Sequence, residues 1–248
     1  MALKLVPPLV NPPLAIEMAL GPARPEGAVE QIVRRIGEAI GAGILEPGTQ
    51  LPPEAELATR LEVAPMTLRQ ALAVLRSAGF IETRRGRGGG SFVREVTLPT
   101  PSPAFSAGML RDLTDWRSAI SGAAAELAAE RAPASAHATL RGLADAVEAV
   151  VDDAPAYRRA DARLHVAIAE AAGSRRLVSA ETQLQAELGE VLSLVPGPEL
   201  ARAMSQAGHE PIIESIASGL PGDARAAAER HAEATHDWVV GLLLGRLG

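Results

Sequence analysis

Two short β-prone runs, "FIETRR" and "SFVREV", are separated only by the glycine-dense "GRGGG". That spacing leaves room for a hairpin tip and nothing else. No other stretch shows a strand pattern, so any sheet in this chain is one two-stranded ribbon attached to helices. Upstream, Val29, Ile32, Val33, Ile36 and Ile40 fall at helical spacing and Gly41 and Gly43 end the run. "EPGTQLPPEAELATRL" then supplies a Pro-Gly turn and a short helix around Glu54 to Arg60. Pro65 suits the first turn of a third helix, which runs through Leu68, Leu72 and Leu75 to a stop at Gly79. Three helices followed by a ribbon make a winged helix-turn-helix, expected over residues 26–95.

The remainder has a different grammar. "TLPTPSPAFSAG" is rich in Pro, Ser and Thr and reads as a linker over 96–108. From 109 to 248 the pattern is helical throughout, in six or seven amphipathic pieces. They are punctuated by Pro133, Pro155, Gly173, Pro196-Gly197-Pro198, Gly219 and Pro221-Gly222. With only 2% aromatic residues, the packing expected is an antiparallel all-α bundle, giving a mostly α protein. Residues 1–25 contain six prolines among Leu, Val, Ile and Met. They are expected to form a proline-rich arm, mobile or docked on a neighbouring subunit.

Cysteine is absent, which excludes disulfides and thiolate metal sites. No segment approaches ~18 unbroken apolar residues and no basic run leads into an apolar one, so the expected location is cytoplasmic, with no membrane partner.

The net charge of −6 hides its distribution. Residues 66–94 hold Arg69, Arg76, Arg84, Arg85, Arg87 and Arg94 against Glu82 alone. A basic surface on an acidic body fits double-stranded DNA. In a helix-turn-helix, side chains near the N-terminus of the second helix reach base edges in the major groove. Here those are Thr67, for a phosphate or a thymine methyl, and Arg69, whose fork matches a guanine edge. Arg84, Arg85 and Arg87 suit phosphate or minor-groove contact, and Gly88 lets the wing backbone approach closely. The alternative is a solvated charged face.

In "DARLHVAIAEAAGS" Asp161 and His165 sit four residues apart, one turn apart on the same helical face. "GHEPIIESIASGLPGDARAAAERHAEAT" places His209 at the start of one helix and His231 inside the next. One carboxylate and three imidazoles on three helices make a ligand set for a divalent metal, Zn²⁺ first, with Ni²⁺, Mn²⁺ or Fe²⁺ if positions stay open. The competing arrangement is an i,i+4 ion pair, a His209 helix cap and a solvated His231. His236 and His137 are expected to be structural or exposed.

The stretch from "GAGILEPGTQLPPEAELATRL" to "GRGGGSFV" resembles the winged-helix domain of GntR-type transcriptional regulators. The likeness rests on Leu51, Pro52, Glu54, Leu57, Ala58, Val63, Thr67, Arg69, Ala71, Leu72, Leu75, Gly79, Gly86, Gly88, Phe92 and Val93. "DARLH", "HEPIIESI" and "RHAEAT", in that order, resemble the FCD ligand-binding domain of the FadR subfamily. The resemblance implies a homodimeric, non-enzymatic regulator, most often a repressor. It implies a metal held by Asp161, His165, His209 and His231, and Arg117 as the anchor of a small organic acid effector. Arg117 has an alternative in a salt bridge to Asp115 or a neighbouring helix. Ser121 stands where the family frequently has Glu. Other readings of the four-ligand set are a metal-responsive regulator with no organic effector and, more remotely, a metal-dependent hydrolase, for which Glu210 is the adjacent carboxylate.

Three positions depart from the family pattern: Ala55 replaces an Arg, and Ala64-Pro65 replace Ser-Arg. Two phosphate-facing cations and a helix-capping hydroxyl are thereby lost. The slope of log operator affinity against log salt should be shallower by about 0.9 per missing contact than in a relative with the usual residues. Equal slopes in parallel titrations would contradict this.

Overall fold

The computed structural model describes residues 27–86, 88–95, 107–193 and 208–245. The proline-rich arm, Arg87, most of the linker and the Pro196-Gly197-Pro198 cluster lie outside the described residues.

The amino-terminal unit contains α1 (Ala28–Gly41), α2 (Glu54–Arg60), α3 (Pro65–Ser77), β1 (Ile81–Arg84) and β2 (Gly90–Val93). Ile32, Ile36 and Ile40 recur every four residues along α1 and bury a single stripe. They share one core with Leu57, Leu68, Leu72, Leu75, Ile81 and Val93. Pro65 occupies the first turn of α3, and Ala64 at its N-cap makes no side-chain hydrogen bond. The first-turn amides of α3 therefore lack the hydroxyl acceptor that a Ser would supply. The strands pair antiparallel, Ile81 opposite Val93 and Arg84 opposite Gly90. The preceding loop locks the ribbon: Leu51 N–H donates to the Ser91 carbonyl and Val93 N–H to the Thr49 carbonyl, both at 2.9 Å. The winged helix-turn-helix is thus present, with α2 at the bounds its sequence implies.

The second unit contains α4 (Ala107–Arg131), α5 (Ala134–Glu148), α6 (Ala154–Ala171), α7 (Arg175–Leu192), α8 (Glu210–Ala217) and α9 (Pro221–Gly245). Six helices among the described residues agree with the expected bundle. α4 and α9 run antiparallel: Arg111 near the start of α4 pairs with Glu233 at 2.6 Å, and Glu126 farther along pairs with Arg225 at 2.8 Å. Ala124, Ala125 and Ala128 on α4 and Ala224, Ala227 and Ala228 on α9 are buried, and their small volume permits close approach of the two axes. α6 begins at an Asp153 cap, whose carboxylate accepts from Ala156 N–H at 3.0 Å. It ends before Gly173, which takes a positive φ of 69°. Both of its ends are therefore fixed, which holds the rotation of its inward face. No helix among the described residues is long and apolar enough to cross a membrane.

The two units touch through α1, α6 and α7. A Cβ on Gly41 would stand 3.3 Å from Ala186 Cβ. Arg163 pairs with Glu46, and Arg159 lies 3.7 Å from Glu95. At Gly43 the backbone has φ 66°, and a Cβ there would fall 2.9 Å from Arg159 Cβ and 3.0 Å from its Cα. Gly48 also has positive φ, with open space around it. Gly43→Ala should therefore destabilise the chain by about 2–3 kcal/mol, and Gly48→Ala by about 1 kcal/mol from backbone strain alone. Urea midpoints that rank the two variants the other way would contradict this packing.

Candidate metal centre

Asp161 and His165 project inward from α6, His209 from the N-cap position of α8 and His231 from the middle of α9. All four are buried. One ligand atom from each lies within 4.8 Å of every other. His209 Nε2 is 2.8 Å from Asp161 Oδ1, and His165 Nε2 is 3.9 Å from the same oxygen. The imidazole centroids are 4.5–5.4 Å apart.

The hydrogen-bond accounting separates a ligand site from a polar cluster. Asp161 Oδ1 and all four ring nitrogens of His209 and His231 are buried without a hydrogen-bond partner. The 2.8 Å approach of His209 to Asp161 thus lacks hydrogen-bond alignment, as expected of two atoms aimed at a third point. Each unsatisfied buried polar atom costs about 1–3 kcal/mol, and natural folds contain few of them. One nitrogen of each ring and the Asp161 oxygen can meet at one spot, and three such unpartnered atoms beside His165 fit a metal ion. Ligands about 2.0–2.1 Å from Zn²⁺ in a tetrahedron stand roughly 3.3 Å apart, inside the spread seen here. The competing arrangement fails at three points. Asp161 and His165 are not hydrogen-bonded, His209 makes no helix cap, and His231 is not solvated.

The charge states suit a cation. Burial alone would push Asp161 up, but the positive charge in its surroundings, of which the Arg117 guanidinium is the permanent part, holds its carboxyl below the ordinary carboxylate range. Burial pushes His165 down to about 3 and His231 well below its ordinary value, so both imidazoles are neutral with lone pairs available.

Arg117 on α4 is buried beside this quartet. Burial lowers its pKa while Asp161 and Glu181 oppose the shift, and a guanidinium stays charged. Its Nη2 lies 3.4 Å from His165 Nε2, and its Nε and Nη1 have no partner. It makes no salt bridge to Asp115, which instead pairs with Arg111 at 2.7 Å. A cleft beside it is walled by Leu110, Leu113, Leu188, Val191 and Val239. At the same cleft, His236 shares a 2.9 Å hydrogen bond with Thr114, a structural role. His137 sits half-buried in the first turn of α5.

Sequence reading missed Glu181 and Gln185 on α7. Ser121 Oγ donates to both Glu181 carboxylate oxygens, at 3.0 and 3.2 Å, and Gln185 Nε2 donates to one at 2.7 Å. The available signal was position: Glu181 and Gln185 interrupt the apolar stripe Leu177, Leu184, Leu188 and Val191. Glu210, the carboxylate next to His209, faces outward and pairs with Arg141.

On the winged unit, Thr67 is half-buried, while Arg69, Arg84, Arg85 and Gly88 are exposed and Arg87 lies outside the described residues. Arg69 Nε pairs with Glu54 at 3.1 Å. Arg84 pairs with Glu82 at 2.7 Å and its guanidinium lies 4.3 Å above the Phe92 ring. Such exposed pairs contribute about 0–1 kcal/mol and exchange readily for another anion.

A winged helix-turn-helix joined to a helical bundle with a buried Asp-His₃ cluster defines a class of bacterial transcription factor, and the comparisons bear this out. Residues 28–90 match the family described as bacterial regulatory proteins, gntR family, and residues 112–234 match the FCD domain. The L-lactate dehydrogenase operon regulatory protein assigned in Escherichia coli K12 is 30% identical over 235 residues, covering 86% of each chain. RmpR of Mycobacterium gastri, described as an HTH-type transcriptional regulator, is 43% identical over 167 residues, covering 64% of this chain and 60% of that protein. In fold, the chain is similar to E. coli McbR/YncC, with a TM-score of 0.52 at 17% identity over 89% of this chain and 99% of that one. The chain belongs to the GntR family of regulators, in the FadR-like group that carries an FCD domain. The two relatives are regulators, not enzymes, in agreement with the sequence reading.

Neutral buried imidazoles link stability to pH. His165 binds a proton in the unfolded chain below its ordinary 6.5 but not in the native chain until about 3, so the unfolded state gains protons first. Stability of metal-free protein should therefore fall as pH drops from 6.5 toward 3, by up to about 1.4 kcal/mol per pH unit for this residue. Urea unfolding at pH 7 and 5, repeated on His165→Gln, checks it. A slope unchanged by the substitution would contradict the assignment.

Proposed function

We propose that this chain is a homodimeric regulator, acting as a repressor, whose operator affinity is set by a small carboxylate bound at a divalent metal in the FCD domain. Asp161, His165, His209 and His231 hold the metal, Zn²⁺ by the chemistry of the donor set. The metal supplies a Lewis-acidic position for a carboxylate oxygen. The observation that carries the proposal is Arg117: a buried guanidinium with two unpartnered nitrogens beside the ligand quartet. A guanidinium fork is matched by a carboxylate better than by any other common anion except phosphate. The relative assigned to an L-lactate dehydrogenase operon points to a 2-hydroxy acid as the first probe. A purely metal-responsive regulator leaves the free donors of Arg117 unexplained. A hydrolase needs a general base at the metal, and Glu210 is engaged elsewhere.

For DNA, Thr67 and Arg69 read the major groove, while Arg84, Arg85, Arg87 and the Gly88 backbone hold the phosphates. Two heads related by the dimer axis would engage a short palindrome. Coupling runs through α6, whose inward face carries Asp161 and His165 while Arg159 and Arg163 reach Glu95 and Glu46 of the head. An effector that shifts α6 changes head orientation if it binds the two states with different affinity.

The test uses an operator selected from random duplexes and fluorescence anisotropy with zinc-loaded protein. L-lactate should change the operator affinity of the wild type. Arg117→Gln should bind operator normally and need at least about tenfold more lactate for the same response. An unaltered lactate response in the variant would overturn the role of Arg117.

A further inference from the structure

Metal binding does not require Glu181, yet this side chain is buried in the same interior. Ser121 and Gln185 donate three hydrogen-bond contacts to its carboxylate, and no arginine or lysine among the described residues lies within salt-bridge distance of it. Burial pushes its carboxyl above the ordinary carboxylate range, against the pull of the Gln185 and Ser121 donors and the Arg117 charge. Together with Ser121, Glu181 lines a small cavity that reaches His165, Ile168 and Ile212. Gln185 Nε2 can only donate, and the one Ser121 hydroxyl proton is shared between the two oxygens, an environment that accommodates the ionised, acceptor-only form.

The interior can therefore be balanced by charge. Among the described residues the fully buried side chains with a formal charge are Arg117, Asp161 and Glu181. Adding a divalent cation leaves one positive unit, which a single carboxylate neutralises. A dicarboxylate would leave the interior net negative, where low dielectric magnifies repulsion. The cleft beside Arg117 offers a second carboxylate no second arginine or lysine. Leu110, Leu113, Leu188, Val191 and Val239 form most of its wall, and its polar side chains are already engaged: Thr114 with His236 and the Leu110 carbonyl, Thr235 with the His231 carbonyl.

We infer that the site selects monocarboxylates over dicarboxylates, and that Glu181, held by Ser121 and Gln185, is the specificity-determining residue. The inference rests on the metal–carboxylate reading of the same site.

The probes are 2-hydroxybutanoate and malate, which differ by a methyl against a carboxylate at the far end. Titration calorimetry on the zinc-loaded full chain should show the wild type favouring 2-hydroxybutanoate by at least about tenfold. Glu181→Gln keeps the shape and removes the charge. It should retain zinc and lower that preference by about tenfold or more, chiefly through tighter malate binding. A wild type that prefers malate overturns the inference without any variant, as does a Glu181→Gln protein with an unchanged ratio. Zinc-loaded wild type that binds neither acid gives a different pattern, and overturns the carboxylate reading together with this one.

Discussion

An aspartate buried among three imidazoles is the constraint on which this structure turns. A carboxylate taken out of water needs a compensating positive charge or several well-aligned donors. Asp161 has a nearby Arg117 and an imidazole at 2.8 Å without hydrogen-bond alignment. The His165 and His231 imidazoles are neutral and turn lone pairs toward the cluster, which is unfavourable in itself. A divalent cation would resolve both deficits, because its charge would meet the carboxylate and its coordination sphere the lone pairs. It would tie the three helices that carry Asp161, His165, His209 and His231 at one point.

Fixing that point also fixes α6, and α6 is where the two units meet. Asp161 and His165 face the centre while Arg159 and Arg163, displaced around the helix by two residues, face the winged unit. A rigid helix with both ends capped transmits a rotation at one face to the other. α7 behaves similarly, with Glu181 and Gln185 turned inward and Ala186 against Gly41 of α1. The head thus rests on the two helices that also line the site. Small residues at Gly41, Gly43 and Ala186 make the contact close, and close contacts between packed helices respond to small shifts.

Much of this was legible in the sequence, for physical reasons that can be named. The winged unit was readable because Pro, Gly and the isoleucine and leucine spacing punctuate it at each boundary, and α2 emerged at Glu54–Arg60 as read. The pairing of Asp161 with His165 was readable because i,i+4 spacing fixes them on one face whatever the tertiary structure, whereas the expectation that His209 and His231 join them from other helices leaned on the order of motifs that resembles the FCD domain. Glu181 was not readable. Its partner Ser121 lies 60 residues away on a helix whose rotation depends on packing with α9. A lone acid in an apolar stripe also looks like an exposed residue until the neighbouring helices are in place. Arg117 was ambiguous for the same reason: Asp115 is near in sequence but accepts from Arg111, which also donates to Glu233, outside the core.

The most direct measurement is the metal content of untagged protein by elemental mass spectrometry, set beside the His165→Ala, His209→Ala double variant. The account predicts about one transition metal per chain in the wild type and its loss in a folded double variant. Wild-type protein that stays metal-free after incubation with Zn²⁺, Ni²⁺ and Mn²⁺, or a double variant that retains a full complement, would contradict it.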